Sequence, residues 1–495
     1  MADLERRDFI KKTIFGSLGT MLSVDAMAKY LPDEIQGKES SVLKKISATK
    51  KVIVGGGGIS GLCCAYELMK KGYEVVVLEA SGRYGGSVLT VHDGLADGLY
   101  ADFGAENFTR PGYENYWKYI EEFKLPVLPY HHQEKRMTWQ DGKWTTREMQ
   151  EEKRTQRAKE LGGFNKRESK FLSEDPSGDL EYLYLSPYFE KFKNEYQPFG
   201  IGYDDFENIP VADIYKKAKA SAAAMNELGG EKSSALYSIW QAFIMNKRGY
   251  DKAYGLFRLK GGNQMMTNEF ARRLGKRVKL DCQISGIKHD TGSVTVNYTE
   301  SGEQKSEAAD FFVSCLRSTA LQNISFTPEL PMEKRFVFDN IGFVKSTRII
   351  FQAKSAFWLQ DNLPNINLTY NHPALATIWQ VAEEINTDRV CLMAKAPAGT
   401  NPLRTLEAFK EFYPGKKSNI TIEQNLVMDW SKGPYASGCE RFGFSGLGEL
   451  SKYWPHVMTP HGRIHFAGGH TDNRSWGMEA ATNSANRAAR EIEEA

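Results

Sequence analysis

Apolar and polar positions along the chain change their period several times. A short apolar run, Val52 to Val54, is followed by glycines at 55–58, a helical pattern from Ile59, and a second apolar run, Val75 to Leu78, that ends in Glu79. Short apolar runs bounded by glycine and acid read as buried strands joined by a crossover helix. From about 113 to 254 the pattern turns mainly helical, over 116–123, 211–228 and 234–247, with a heavily charged stretch at 147–169 that reads as a solvated helix or lid. A helix ending near Leu274 and strands around 278–287, 293–298 and 310–314 bring back the alternation of strand and helix, whereas 341–351 and 376–394 read as strands of another sheet. An apolar strand at 462–467 then breaks at glycines and leads into a helix that runs to the end. The pattern predicts an α/β fold: a discontinuous Rossmann-like nucleotide-binding domain over 51–110, 256–320 and 428–495, with an inserted α+β substrate domain over 111–255 and 321–427. The first part of that insertion is a helical subdomain.

A length of 495 residues allows two domains with real cores, and 41% hydrophobic residues suit a soluble protein. The formal net charge of +2 offers no electrostatic argument for nucleic acid, and no repeat of solenoid length is present. The first 28 residues stand apart. Arg6-Arg7-Asp8-Phe9-Ile10-Lys11-Lys12 precedes a modestly apolar run that ends in Ala26-Met27-Ala28, the pattern of a twin-arginine export signal and cleavage site; an amphipathic helix is the alternative. The run is too short and too polar for a stable membrane span. The expected location is therefore exported, periplasmic or secreted, if that signal functions and cytoplasmic otherwise, with 29–50 as a polar linker. Six cysteines without C-x-x-C or zinc spacing predict neither a disulfide framework nor a metal.

The glycines carry the first chemical signal. Gly56, Gly58 and Gly61 fill G-x-G-x-x-G: the first permits a tight turn, the second lets backbone amides approach a pyrophosphate, and the third lets helix and strand pack closely. Ile59 and Ser60 open a helix whose positive dipole end would face the phosphates, and Glu79 lies at the distance expected of an acid that grips an adenosine ribose. A bare glycine loop is weak evidence, but strand, loop, helix, strand and acid here occur in order.

Directly after Glu79, Ala80-Ser81-Gly82-Arg83-Tyr84-Gly85-Gly86-Ser87 resembles the E-A-x-x-R-x-G-G-R stretch of the flavin amine oxidase superfamily. The resemblance implies a domain of the GR2 type, with FAD as cofactor and Arg83, Gly85 and Gly86 reaching its pyrophosphate from the second side. Ser87 departs from the pattern, because that family usually has a second arginine there. Ala101-Asp102-Phe103-Gly104-Ala105-Glu106-Asn107 resembles the segment that runs under the flavin, and Ile284 is implied as a further cofactor neighbour.

Near the carboxyl end, Gly462-Arg463-Ile464-His465-Phe466-Ala467-Gly468-Gly469 and Trp476-Gly477-Met478-Glu479-Ala480 resemble the G-R-I-x-F-A-G and M-E-G-A elements of monoamine and L-amino-acid oxidases. There a helix N-terminus faces the flavin ring and stabilises the charge of its reduced form. Gly469 departs from relatives with an acid at that place. Upstream, Trp430 followed by Ser437-Gly438-Cys439 resembles the segment that carries a thioether-linked flavin; a small core cysteine is the alternative.

For the substrate, the resemblance places Glu440 and Gly477 where an aromatic cage usually stands, which leaves Trp476 to restore one wall and Glu440 to favour a cation. Arg348 aligns with a lysine that relatives hold near the reactive flavin nitrogen, and Lys345, three positions before it, is the other candidate. On a strand an odd separation puts the two on opposite faces, and Arg348 is favoured. Asn107 stands where L-amino-acid oxidases bind the substrate carboxylate with arginine; Arg110, Arg441, Arg474 and Tyr370 are substitutes to consider. The implied activity is FAD-dependent oxidation of a small-molecule amine or amino acid to an imine, with dioxygen or another electron acceptor, and a homodimer is allowed. L-amino-acid oxidase, a protoporphyrinogen or carotenoid-type oxidoreductase, and a flavin-free scaffold like the Rab dissociation inhibitors are the alternatives.

Overall fold

The computed structural model describes residues 49–131, 136–160, 162–175, 178–249, 255–433, 438, 441–474 and 477–495. Cys439, Glu440 and Trp476, all expected at the site, and the leader and linker up to 48 lie outside these residues.

The first apolar run forms β1 (Lys51–Gly55), the glycine loop leads into α1 (Ile59–Lys70), and the chain returns as β2 (Glu74–Leu78), parallel to β1. Three strands from distant parts of the chain complete this sheet: β3 (Val278–Lys279), β4 (Phe311–Ser314) and β5 (Ile464–Phe466). The order is β3-β2-β1-β4-β5, and every pairing is parallel. Runs such as Val52-Ile53-Val54 and Phe312-Val313 lose all exposure because helices or further chain cover both faces of the sheet.

One of those helices is α2 (Gly477–Glu494), which shares a core with α1. Ala481, Ala485, Ala488 and Ala489 meet Leu62, Cys63, Cys64 and Ala65 there, so two backbones approach closely along a seam of small residues. Cys63 and Cys64 are packing residues, and burial pushes both thiols well above their usual range.

A seven-stranded sheet forms the second layer, in the order Ile422–Asp429, Ser346–Ala353, Val390–Pro397, Leu375–Val381, Asn367–His372, Met137–Gln140, Lys143–Thr146. Alternation along Ser346–Ala353 divides its side chains between two cores. Ile349 and Phe351 pack with Phe357, Trp358 and Phe409, whereas Ile350 packs with Phe103, Tyr130 and Trp379.

Several boundaries differ from the sequence pattern for local reasons. The single helix expected over 211–228 is two, Val211–Lys217 and Ala222–Leu228, broken where Lys219 takes φ +60° and Ser221 caps the second by accepting from the Ala224 amide. The charged stretch folds as Arg147–Lys159 and Lys166–Glu174, the latter begun by an Asn165–Glu168 capping box. Ile341 to Lys345 do not extend the strand; Phe343 instead bridges to Arg441.

Candidate active site

The glycine loop lies at the carboxyl ends of β1 and β4, the crevice where open α/β sheets bind ligands. A side chain at Gly61 would put its Cβ 1.9 Å from the Gly56 carbonyl oxygen, so α1 can start here only on glycine. Gly56 has φ +99°, which makes the turn, and one wall of the loop is the Cys315 carbonyl. The Gly85 amide donates to the Gly57 carbonyl at 2.8 Å, and Gly58 bridges to Gly85 with Gly86 beside it. Two stretches of bare backbone therefore face one another.

This cradle fits a dinucleotide. The N-terminus of α1 has no side-chain cap and no acid in its first turn, so its free amides and dipole are left for an anion. Among the described residues a Cβ at Gly58 would touch only Gly86 Cα, at 3.8 Å, so none of them fills that side. The Glu79 carboxylate accepts from the Gly57 amide at 2.6 Å and from the Ser81 amide and hydroxyl at 2.9 and 2.7 Å, which hold it at the edge of the loop. Arg83 donates to the Gly86 carbonyl at 2.6 Å and to the Tyr84 carbonyl at 3.2 Å, and Ala80, three residues earlier in the chain, is half-buried. Ile59 and Ser60 are buried in the first turn of α1, and Ile284 reaches the end of β1 with its Cδ1 2.9 Å from where a Gly55 Cβ would stand.

The segment from 101 to 107 runs from the clamp toward the seven-stranded sheet. A Cβ at Gly104 would fall 1.8 Å from the Ser87 carbonyl oxygen, so glycine is required where the two segments cross. The Trp430 indole donates to the Phe103 carbonyl at 2.8 Å and closes the other side. Asn263 fastens the segment from behind: its amide donates to Asp102 at 3.1 Å and its side chain to the Ala105 carbonyl at 3.1 Å. Burial pushes the Asp102 carboxyl up to about 7, although the Thr90 hydroxyl and the Asn263 amide both donate to it. Neither Asp102 nor Asn263 stands out in sequence, because a fully buried acid is recognised only by its surroundings.

Glu106 and Arg348 meet at this point. Arg348 Nη1 lies 3.2 Å from Glu106 Oε2, and the other carboxylate oxygen accepts from the Tyr130 hydroxyl and the Trp379 indole. The guanidinium also sits 5.3 Å from the Trp379 ring centroid. Lys345 does not join this group: it is exposed, one residue before the strand begins. Tyr370 packs in the core on the opposite face of the sheet, against Trp144 and Phe412. Arg110 is exposed and paired with Glu121, while the buried Arg441 donates to the carbonyls of His470 and Asp472. Asn107, half-buried, follows Glu106 directly.

At the far end, Gly468 takes φ +129° with the His470 ring where its Cβ would be, and burial among three arginines pushes that imidazole down to about 3. Gly469 has room for a side chain, its virtual Cβ meeting only ordinary contacts at 3.7 Å. At Gly477, with φ +52°, the Tyr113 hydroxyl occupies the space a Cβ would need, so nothing larger fits, and Met478 is buried beneath. Glu479 accepts from the amides of Asn115 and Tyr116 at 3.1 and 2.9 Å; its burial still pushes the carboxyl up to about 7.

Comparison with known proteins agrees with this geometry. Residues 59–493 match the model of the flavin containing amine oxidoreductases. An L-amino-acid oxidase of Vipera ammodytes ammodytes is 25% identical over 476 residues, covering 92% of this chain and 94% of the relative. One from Gloydius blomhoffii is 26% identical over 481 residues, covering 92% and 91%. Among solved structures, putrescine oxidase bound to putrescine superposes with a TM-score of 0.69 at 18% identity, covering 90% of this chain and 99% of that one. Cyclohexylamine oxidase from Brevibacterium oxydans IH-35A gives 0.66 at 19% identity. The chain belongs to the flavin-containing amine oxidoreductases and is an FAD-dependent enzyme acting on CH–NH2 groups.

Proposed function

We propose that the protein is an amine oxidase whose substrate lacks a carboxylate beside the reacting carbon. The observation that carries this is the pairing of Arg348 with Glu106, together with Asn107 where L-amino-acid oxidases have arginine. A guanidinium already neutralised by a carboxylate offers little to a second carboxylate. When bound, FAD accepts the two electrons and the hydrogen removed from the substrate's CH–NH bond, and water hydrolyses the resulting imine. With dioxygen as acceptor, R–CH2–NH2, O2 and H2O give R–CHO, NH3 and H2O2.

The chain's own contribution is placement. The Gly56–Gly61 loop, Glu79 and the Arg83 to Gly86 clamp would hold the dinucleotide, Gly104 to Asn107 and Trp430 would line its flavin end, and the N-terminus of α2 would stabilise negative charge on the reduced form. Arg348 tunes charge or holds water there and does not act as a base, since arginine keeps its proton. The resemblance implies a carboxylate at Glu440 and an aromatic ring at Trp476 as the groups that would favour a substrate cation.

Amino-acid oxidation is the second reading, favoured by the L-amino-acid oxidases among the sequence relatives. Peroxide release from parallel panels of primary amines, diamines and L-amino acids separates the two. Turnover confined to amino acids overturns the amine reading. The reading includes export of the folded holoenzyme by the twin-arginine route, for which the Arg6-Arg7 leader is the support; no helix among the described residues is long and apolar enough to cross a membrane.

A further inference from the structure

The clamp lacks its second arginine at Ser87, yet a guanidinium stands beside that residue. Arg317 lies three residues beyond β4, at the carboxyl edge of the parallel sheet next to β1. Its Nη2 donates to Ser87 Oγ at 2.5 Å, and its Nη1 donates to the Gly438 carbonyl. The guanidinium carbon is 5.4 Å from the Phe343 ring centroid, and the side chain is half-buried. The positions are 230 residues apart in sequence, so no local motif links them.

We infer that Arg317 supplies the cation that position 87 has given up, and that it contacts the anionic diphosphate stretch of the bound FAD. Three observations converge. Arg317 leaves the sheet at the crevice where the glycine loop begins: Cys315, two residues before it, donates its amide to the Gly55 carbonyl and walls the loop with its carbonyl. A serine at 87 is short enough to leave room for a guanidinium arriving from another strand and accepts a hydrogen bond from it. The hydrogen bond to Gly438 ties the same side chain to the turn after Trp430, whose own carbonyl accepts from the Gly438 amide at 2.6 Å. One residue thus joins the clamp, the end of β4 and the flavin-side turn. Arginine suits this place better than lysine because its fork can serve protein acceptors and a phosphate oxygen at once.

The test moves the charge. FAD binding to deflavinated protein is measured by quenching of flavin fluorescence for the parent, R317M, R317K and the double variant R317M/S87R, with riboflavin as a ligand that has no phosphate. Apoprotein melting is recorded alongside. R317M is expected to weaken FAD binding about tenfold to a hundredfold, the worth of one charge-assisted hydrogen bond, and to flatten its salt dependence. Riboflavin binding is expected to change less than threefold, R317K to recover part of the loss, and R317M/S87R to recover most of it. Unchanged FAD affinity in R317M, or equal losses for FAD and riboflavin, would overturn the inference. A loss of FAD affinity that R317M/S87R fails to restore, accompanied by a lower apoprotein melting temperature, would make Arg317 a structural tie alone. Binding is read without turnover, so these outcomes are independent of which amine is oxidised.

Discussion

Arg348 Nη1 and Glu106 Oε2 lie 3.2 Å apart and join the Ser346–Ala353 strand, next to the edge of the seven-stranded sheet, to the segment expected under the flavin. Both side chains are largely shielded, at 17% and 11% exposure, so the pair is screened less than a surface bridge. Removing one partner strands the other. R348M should destabilise the protein by roughly 3 kcal/mol, and R348M/E106Q should recover most of that loss. Denaturant titrations of the two single variants and the double variant measure the coupling; additive losses would mean the pair is not one unit.

The same relationship sets a prediction for selectivity. E106Q releases the Arg348 charge without removing the Tyr130 and Trp379 donors' acceptor. The KM for substrates with an α-carboxylate should then fall relative to that for simple amines, by about tenfold or more. A ratio that stays constant would remove Arg348 from the substrate site.

Two glycines in one loop should behave differently. G61A drives a Cβ to 1.9 Å from backbone at Gly56 and is expected to cost about 3 kcal/mol of stability. G58A meets only Gly86 Cα at 3.8 Å, with a backbone (φ −71°, ψ 175°) open to any residue, so it should fold normally yet bind FAD poorly. Melting curves of the apoproteins and flavin titrations distinguish a packing defect from a lost ligand surface.

The mode of flavin attachment is read by precipitating the holoprotein with acid. The expected result is yellow supernatant, with no thioether formed at Cys439. Colour retained in the pellet, and released to the supernatant by C439A, would establish a thioether instead.

Lys334 offers a pH test remote from the chemistry. It is buried, donates to the His456 carbonyl at 2.5 Å and sits 4.1 Å from the Phe466 ring centroid; burial pushes its ammonium down to about 7. A depressed folded value means that the protonated form is disfavoured in the fold, so stability is lost as pH falls from about 10.5 toward 7. K334M removes that cost. Its gain in melting temperature over the parent should be largest below pH 7 and shrink as pH rises toward 10.

The sequence by itself determined the parallel βαβ unit, the glycine loop, Glu79 and the clamp, because each depends on residue type over a few neighbouring positions. A turn at φ +99° or a backbone approach at Gly61 admits only glycine, and an uncapped helix start follows directly after. Alternation on a strand favoured Arg348 over Lys345, but Lys345 stands one residue before the strand begins, so that period did not decide its place. What it could not determine was which distant groups share a face. That Glu106 holds Arg348, that Asn263 supports Asp102, and that Arg317 arrives beside Ser87 were decided by how two sheets and a crossover segment pack. Those contacts span more than 150 positions, and a buried charge carries no mark in sequence until the fold supplies its partner.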